Sequence, residues 1–164
     1  MSDKGLLKKQ KSDVVVSMEY KQILIGTDGG DLMAPVYDHA AYFAQLTDAT
    51  VHVAYVLDIA GSSVYPIDAS WENKYDVLLD EGKKIVAIAK NDLASRGVNE
   101  DRIVTVVLDG HPAEELNMYT DSQDIDLVVI GTHGRKGLDR LLIGSVADKV
   151  IRGAKVPMLI VRSR

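Results

Sequence analysis

No cysteine occurs in this 164-residue chain, which excludes disulfides and thiolate metal sites and fits a reducing compartment. Long apolar runs are missing as well. Nothing approaches the roughly eighteen apolar residues of a membrane-spanning helix, and the opening "MSDKGLLKKQKSDVVVSMEY" has no apolar centre long enough for a secretory signal. A soluble, cytoplasmic protein is the expectation. Positive charge is in short supply, with 19 Lys and Arg against 24 Asp and Glu, so a broad basic footprint for nucleic acid is not expected. The histidines, His39, His52, His111 and His133, show no i,i+4 pairing or carboxylate spacing of the zinc kind, and no metal site is assigned.

Two familiar phosphate-binding patterns are also absent. No Gly-Lys-Ser or Gly-Lys-Thr occurs, which removes the Walker-type P-loop, and no G-x-G-x-x-G follows the first apolar run, which removes the dinucleotide fingerprint. "TDGGDL" resembles the Ser-Gly-Gly turn of ATP pyrophosphatases only in part, because the leading serine and final Asp-Ser are missing. Sequence spacing assembles no serine, histidine and acid trio. No catalytic residue is assigned.

What is present alternates. "YKQILIGTDGG" is a short apolar run closed by turn residues, and "DLMAPVYDHAAYFAQLTDA" carries apolar residues at helical spacing with Pro35 in its first turn. "TVHVAYVLD" reads as a second strand, "IAGSSVYPIDAS" as a loop, and residues 70 to 96 as a long amphipathic helix closed by Gly97. Next come a strand in "RIVTVVLDG", a helix opened by Pro112 in "HPAEELNMYTDS", a strand in "IDLVVIG", a helix over 144 to 153, and a last strand in "VPMLIVR". Five strands interleaved with helices predict a single α/β domain: an open parallel sheet with helices on both faces, because each parallel neighbour needs a crossover. Residues 1 to 19 read as a flexible tail and 20 to 164 as the domain. Trp71 and Tyr75 are expected as core or staple contacts, and Tyr65 in the loop before them as a possible cover for a ligand.

The carboxyl ends of the first four strands run into small or acidic residues: Asp28-Gly29-Gly30, Asp58, Asp109-Gly110 and Gly131. Ligands of open α/β sheets bind on that edge, where the strand order reverses. There also lies "GTHGRKGLDRLLIGS", Gly131 to Ser145. From residue 131 onward Lys and Arg outnumber Asp and Glu eight to two, whereas before it they number eleven against twenty-two. Lys149, Arg152 and Lys155 suit the carboxyl end of the following helix, an explanation that does not reach Arg135, Lys136 and Arg140. Residue types leave two readings open. Glycines permit positive φ and close approach, so main-chain N–H groups and the next helix's amino end can cradle an anion. Equally, the glycines turn a surface connection and Ser145 caps a helix.

The spacing G-x2-G-x9-G-S, on Gly131, Gly134, Gly144 and Ser145, resembles the signature of the ATP-binding branch of the universal stress proteins. That resemblance extends from "MEYKQILIGTDGG" to "GSVADKVIRGAKVPMLIVR". It implies a Rossmann-like sheet ordered 3-2-1-4-5 and a bound ATP, or AMP or ADP, with Mg²⁺ held mainly by the phosphates. By the same resemblance Gly131, Gly134, Gly144 and Ser145 wrap the triphosphate, Asp28 faces the adenosine end, Val56 meets the adenine through its backbone, and Val146 adds a backbone donor. Thr132, His133 and Arg135 lie within that span and are counted with the site. Gly29-Gly30 and Lys136 with Asp139 depart from the family's commoner residues. The implied function is a nucleotide-dependent sensor or switch in the stress response, not an enzyme, with slow hydrolysis if any. It is also implied to be a homodimer paired through the final strand, residues 156 to 162, with no nucleic-acid or membrane partner. The alternatives are an interaction module of the same family without nucleotide, and a pyrophosphatase-type enzyme.

Overall fold

The computed structural model describes residues 19–58, 70–132 and 143–162. Its strands are β1 (Gln22–Gly26), β2 (Thr50–Leu57), β3 (Ile103–Asp109), β4 (Leu127–Gly131) and β5 (Met158–Val161). Four α-helices connect them: α1 (Ala34–Thr47), α2 (Ser70–Ser95), α3 (Pro112–Ser122) and α4 (Ser145–Gly153). All strand pairs are parallel, in the order β3-β2-β1-β4-β5. The five interleaved strands expected from the sequence are present, in the order that the resemblance implied.

The strands form where apolar residues run nearly unbroken, as a sheet covered on both faces demands. Period-two alternation then sorts them. Ile23, Ile25, Val51, Val53, Leu127 and Val129 pack beneath α1 and α2, while Leu24, Ala54, Val128 and Ile130 pack beneath α3 and α4. In α1 the buried residues are Val36, Tyr37, Ala40, Ala41 and Ala44, one face at helical spacing, and its proline lies in the first turn, where no N–H is missed. Small alanines let this helix lie close to the sheet. Among the described residues no helix is long and apolar enough to cross a membrane.

At the amino edge the sheet is tied by a carboxylate. Asp126 Oδ2 accepts from the Lys21 N–H at 2.7 Å and from the Gln22 N–H at 3.2 Å, which locks the start of β1 against the start of β4. On β2, His52 is buried between α3 and β1, with Nδ1 2.9 Å from the Tyr119 hydroxyl and Nε2 2.8 Å from Gln22 Oε1. The amide oxygen can only accept, so Nε2 carries the proton.

At the outer edge, β5 pairs with β4 on one side. The carbonyls of Pro157 and Val161 accept from the N–H groups of Val128 and Thr132. Main-chain groups alternate sides along a strand, so Leu159 also faces β4, whereas Met158 and Ile160 turn theirs outward.

Candidate functional site

The chain runs from β1 outward through β2 and β3, then returns to place β4 on the other flank of β1. The gap above β1, between β2 and β4, is therefore where strand order reverses. Beyond Gly26 the first strand leaves the sheet. Thr27 makes one last ladder bond, from its N–H to the Ala54 carbonyl at 2.9 Å, and the chain then folds into a tight turn at Asp28-Gly29. Gly29 has φ 71°, a left-handed conformation that a glycine adopts at little cost. Asp28 Oδ1 accepts from the Gly30 N–H at 2.9 Å and shapes the turn.

The register brings the expected site residues to one level. Gly26 pairs with Ala54 and Ile25 with Val129, so Asp28 stands level with Val56 on one flank and Thr132 on the other. Two strand spacings, about 10 Å, separate those flanks. On β2 the Ala54 carbonyl bonds toward β1 and the Leu57 carbonyl toward β3, where it accepts from Gly110. By alternation the N–H and C=O of Val56 point toward β1, at the height where β1 has already turned away. The main chain of Val56 thus faces the gap, while its side chain packs on the α3 and α4 side.

On the opposite flank, Gly131 ends β4, and buried Thr132 donates its N–H to the Val161 carbonyl at 2.9 Å. The Thr132 carbonyl in turn accepts from the Gly144 N–H at 2.7 Å, which ties the amino end of α4 to the end of β4. A Cβ on Gly144 would stand 3.1 Å from that carbonyl oxygen, closer than ordinary contact. Its φ of −60° is ordinary, so the glycine serves space here and not positive φ, one of the two uses the sequence allowed. Gly144 is the N-cap of α4, and its carbonyl accepts the Asp148 N–H at 2.9 Å. Ser145 is therefore the first helical residue and does not cap the helix. The N–H groups of Ser145, Val146 and Ala147 have no acceptor within the helix and give its amino end a partial positive charge. Both Ser145 and Val146 are exposed.

Of the ten residues expected at the site, Asp28, Val56, Gly131, Thr132, Gly144, Ser145 and Val146 are brought to this edge. His133, Gly134 and Arg135 lie outside the described residues, as do Tyr65 and the tail before residue 19. Among the described residues no group of three or more His, Asp or Glu is placed to hold a metal ion.

Sequence reasoning missed the residues that support this edge. The Tyr37 hydroxyl lies 2.8 Å from Thr27 Oγ1, a contact between a helix and a turn that no spacing announces. Over β2 and β3, the Tyr75 hydroxyl donates to Asp109 Oδ2 at 2.7 Å, and that bond to a carboxylate, with some desolvation, pushes the phenol pKa up. Tyr75 is half-exposed and holds a strand end, and so is not a core residue. His111 occupies the N-cap position of α3 without a side-chain cap bond, its Nδ1 3.9 Å from Asp58 Oδ1. Of the cations assigned to the helix end, Arg152 pairs with Asp148 at 2.9 Å and Lys155 with Asp121 at 2.6 Å.

Known proteins share this layout. The family model of the universal stress proteins matches residues 19–162. A universal stress protein of Methanocaldococcus jannaschii, MJ0531, is 38% identical over 143 residues, spanning 87% of this chain and 82% of that one. The solved structure of a second protein of that organism, MJ0577, superposes with a TM-score of 0.75 at 27% identity, over 88% of this chain and 97% of the other. The structure of a universal stress protein from Archaeoglobus fulgidus in complex with dAMP shares the fold, at 23% identity and a TM-score of 0.64, over 87% and 98% of the two chains. With the matched span running from the start of β1 to the end of β5, this chain belongs to the universal stress protein family.

Proposed function

We propose that the protein binds an adenine nucleotide, ATP in the first place, at the gap above β1, and that binding serves as a switch in the stress response. One observation carries the reading. Main-chain groups of Val56 face the gap from one flank, and the amino end of α4 at Ser145 and Val146 stands on the other, with Asp28 between them at the same height. A purine reads hydrogen bonds from the first flank, and phosphates take N–H donors and a favourable dipole from the second. The span of about 10 Å suits the distance from a purine to its phosphates. The relative from Archaeoglobus, solved with dAMP, lends the base its identity, and the spacing Gly131, Gly134, Gly144, Ser145 favours the triphosphate.

Mg²⁺ would ride on the phosphate oxygens. The sequence holds no Walker motif to supply a phosphate-binding lysine, and at this edge Asp28 accepts from Gly30 and Asp109 from Tyr75, so the transition state of hydrolysis gains little that the bound state lacks. Turnover should stay below about 1 s⁻¹, the low end of ordinary enzymes. A dimer joined along β5 completes the proposal, since the outward groups of Met158 and Ile160 are ready for a second copy.

The test is direct. Small molecules released by heat from the purified protein should include ATP, ADP or AMP by mass spectrometry, and calorimetric titration should show saturable ATP binding. Gly134→Val, which places a branched side chain in the proposed phosphate cradle, should abolish that binding while the far-ultraviolet circular dichroism stays unchanged. A folded variant with undiminished ATP affinity would overturn the assignment.

A further inference from the structure

We propose that Tyr37 is a positioning residue for this site: its buried hydroxyl, through Thr27, fixes where the Asp28-Gly29 turn stands, and so how tightly the adenosine half of a nucleotide is held. The inference rests on the nucleotide reading above. Tyr37 lies on the buried face of α1 and is 5% exposed, and Thr27 is 7% exposed. Burial pushes the Tyr37 pKa up, so the phenol stays neutral. Its ring is covered on the outer side by the Arg96 guanidinium, 5.9 Å from the centroid. That guanidinium is itself held by Asp38 at 2.7 Å and Asp92 at 3.3 Å.

Thr27 Oγ1 is a bridge. It lies 2.8 Å from the Tyr37 hydroxyl and accepts from the Gly29 N–H at 3.1 Å, which joins a packed helix to the turn through one oxygen. The bond from Gly30 to Asp28 is internal to the turn and sets its shape, not its place. One side of the turn is open. Beside it lies a cavity of about 280 Å³ bordered by Gly29, Gly30, Met33, Tyr37, Ile85 and Ile88, which leaves space on that side of the two glycines. A turn open on one side takes its position from its hydrogen bonds.

A double-mutant cycle on ATP affinity, measured calorimetrically on the full chain, tests this. Tyr37→Phe and Thr27→Val should each weaken ATP binding about three- to tenfold, the effect of one lost hydrogen bond. The double variant should bind no worse than Thr27→Val alone, because both changes remove the same link. Thr27→Ser keeps the oxygen and should bind like the wild type. If Tyr37→Phe does not fold, the Val and Ser variants of Thr27 decide by the same rule. Wild-type affinity in Tyr37→Phe, or losses that multiply in the double variant, would overturn the positioning role. A wild type that binds no adenine nucleotide would instead overturn the function on which it rests.

Discussion

At the scale of single residues the site edge and the core make different demands. Gly144 is small because the Thr132 carbonyl lies where a Cβ would reach. His52 is neutral because burial holds its pKa below the ordinary 6.5. That second demand has a pH signature. The unfolded chain takes up a proton on His52 as pH drops through about 6.5, while the folded chain resists, so stability is full above that value and is lost progressively below it. The melting midpoint of the wild type should therefore fall more between about pH 7.5 and pH 5.5 than that of His52→Gln, which keeps polar contacts without titrating. Equal slopes would show that the imidazole does not carry the effect. Such pairings were not legible beforehand. Gly131, Gly144 and Ser145 stood out in the sequence because their spacing is local, whereas His52 with Tyr119 and Thr27 with Tyr37 meet only through the fold.

At the scale of elements, periodicity with proline, glycine and turn residues placed the strands and α-helices of the described residues, because each buries a regular face. The short 3₁₀ turns at Asp31–Met33 and Glu100–Arg102 escaped that reading, being too brief to show a period. What periodicity could not supply was the side of a strand toward which main-chain groups point. That is set by register, and it decides that Val56 addresses the gap. The two ends of the sheet would then separate stability from the proposed binding. Asp126 joins β1 to β4 at the amino edge, opposite the proposed site, through bonds to two backbone N–H groups. Asp126→Ala should cost roughly 1.5–3 kcal/mol, the range for hydrogen bonds to a charged group, and so lower the melting midpoint by about 3–12 °C. ATP affinity of the folded variant should not change. A parallel loss of affinity would mean that the edges are coupled through β1.

At the scale of the whole molecule, β5 leaves the outward groups of Met158 and Ile160 on a sheet edge, with the Ile160 side chain 40% exposed. Pairing of that strand with its copy about a two-fold axis would cover the edge and close the assembly. Light scattering at micromolar concentration should return about twice the 17.9 kDa chain mass. Ile160→Pro removes an outward N–H and should shift the particle toward monomer, whereas a change at Leu159 would break the ladder to β4 instead. A dimer indifferent to Ile160→Pro would place the interface elsewhere.

Among the described residues, the end of β2 at Val56 and the amino end of α4 present main-chain groups at this edge. Truncating the side chains of Val56, Ser145 or Val146 to alanine leaves every one of those N–H and C=O groups in place. An alanine scan across this edge would therefore record near silence at the positions proposed to hold a nucleotide most directly. Under the positioning proposal its strongest signals would come from Tyr37 and Thr27, which hold the backbone of the turn. A functional map drawn from such a scan would be displaced inward from the true contact surface by one layer of residues.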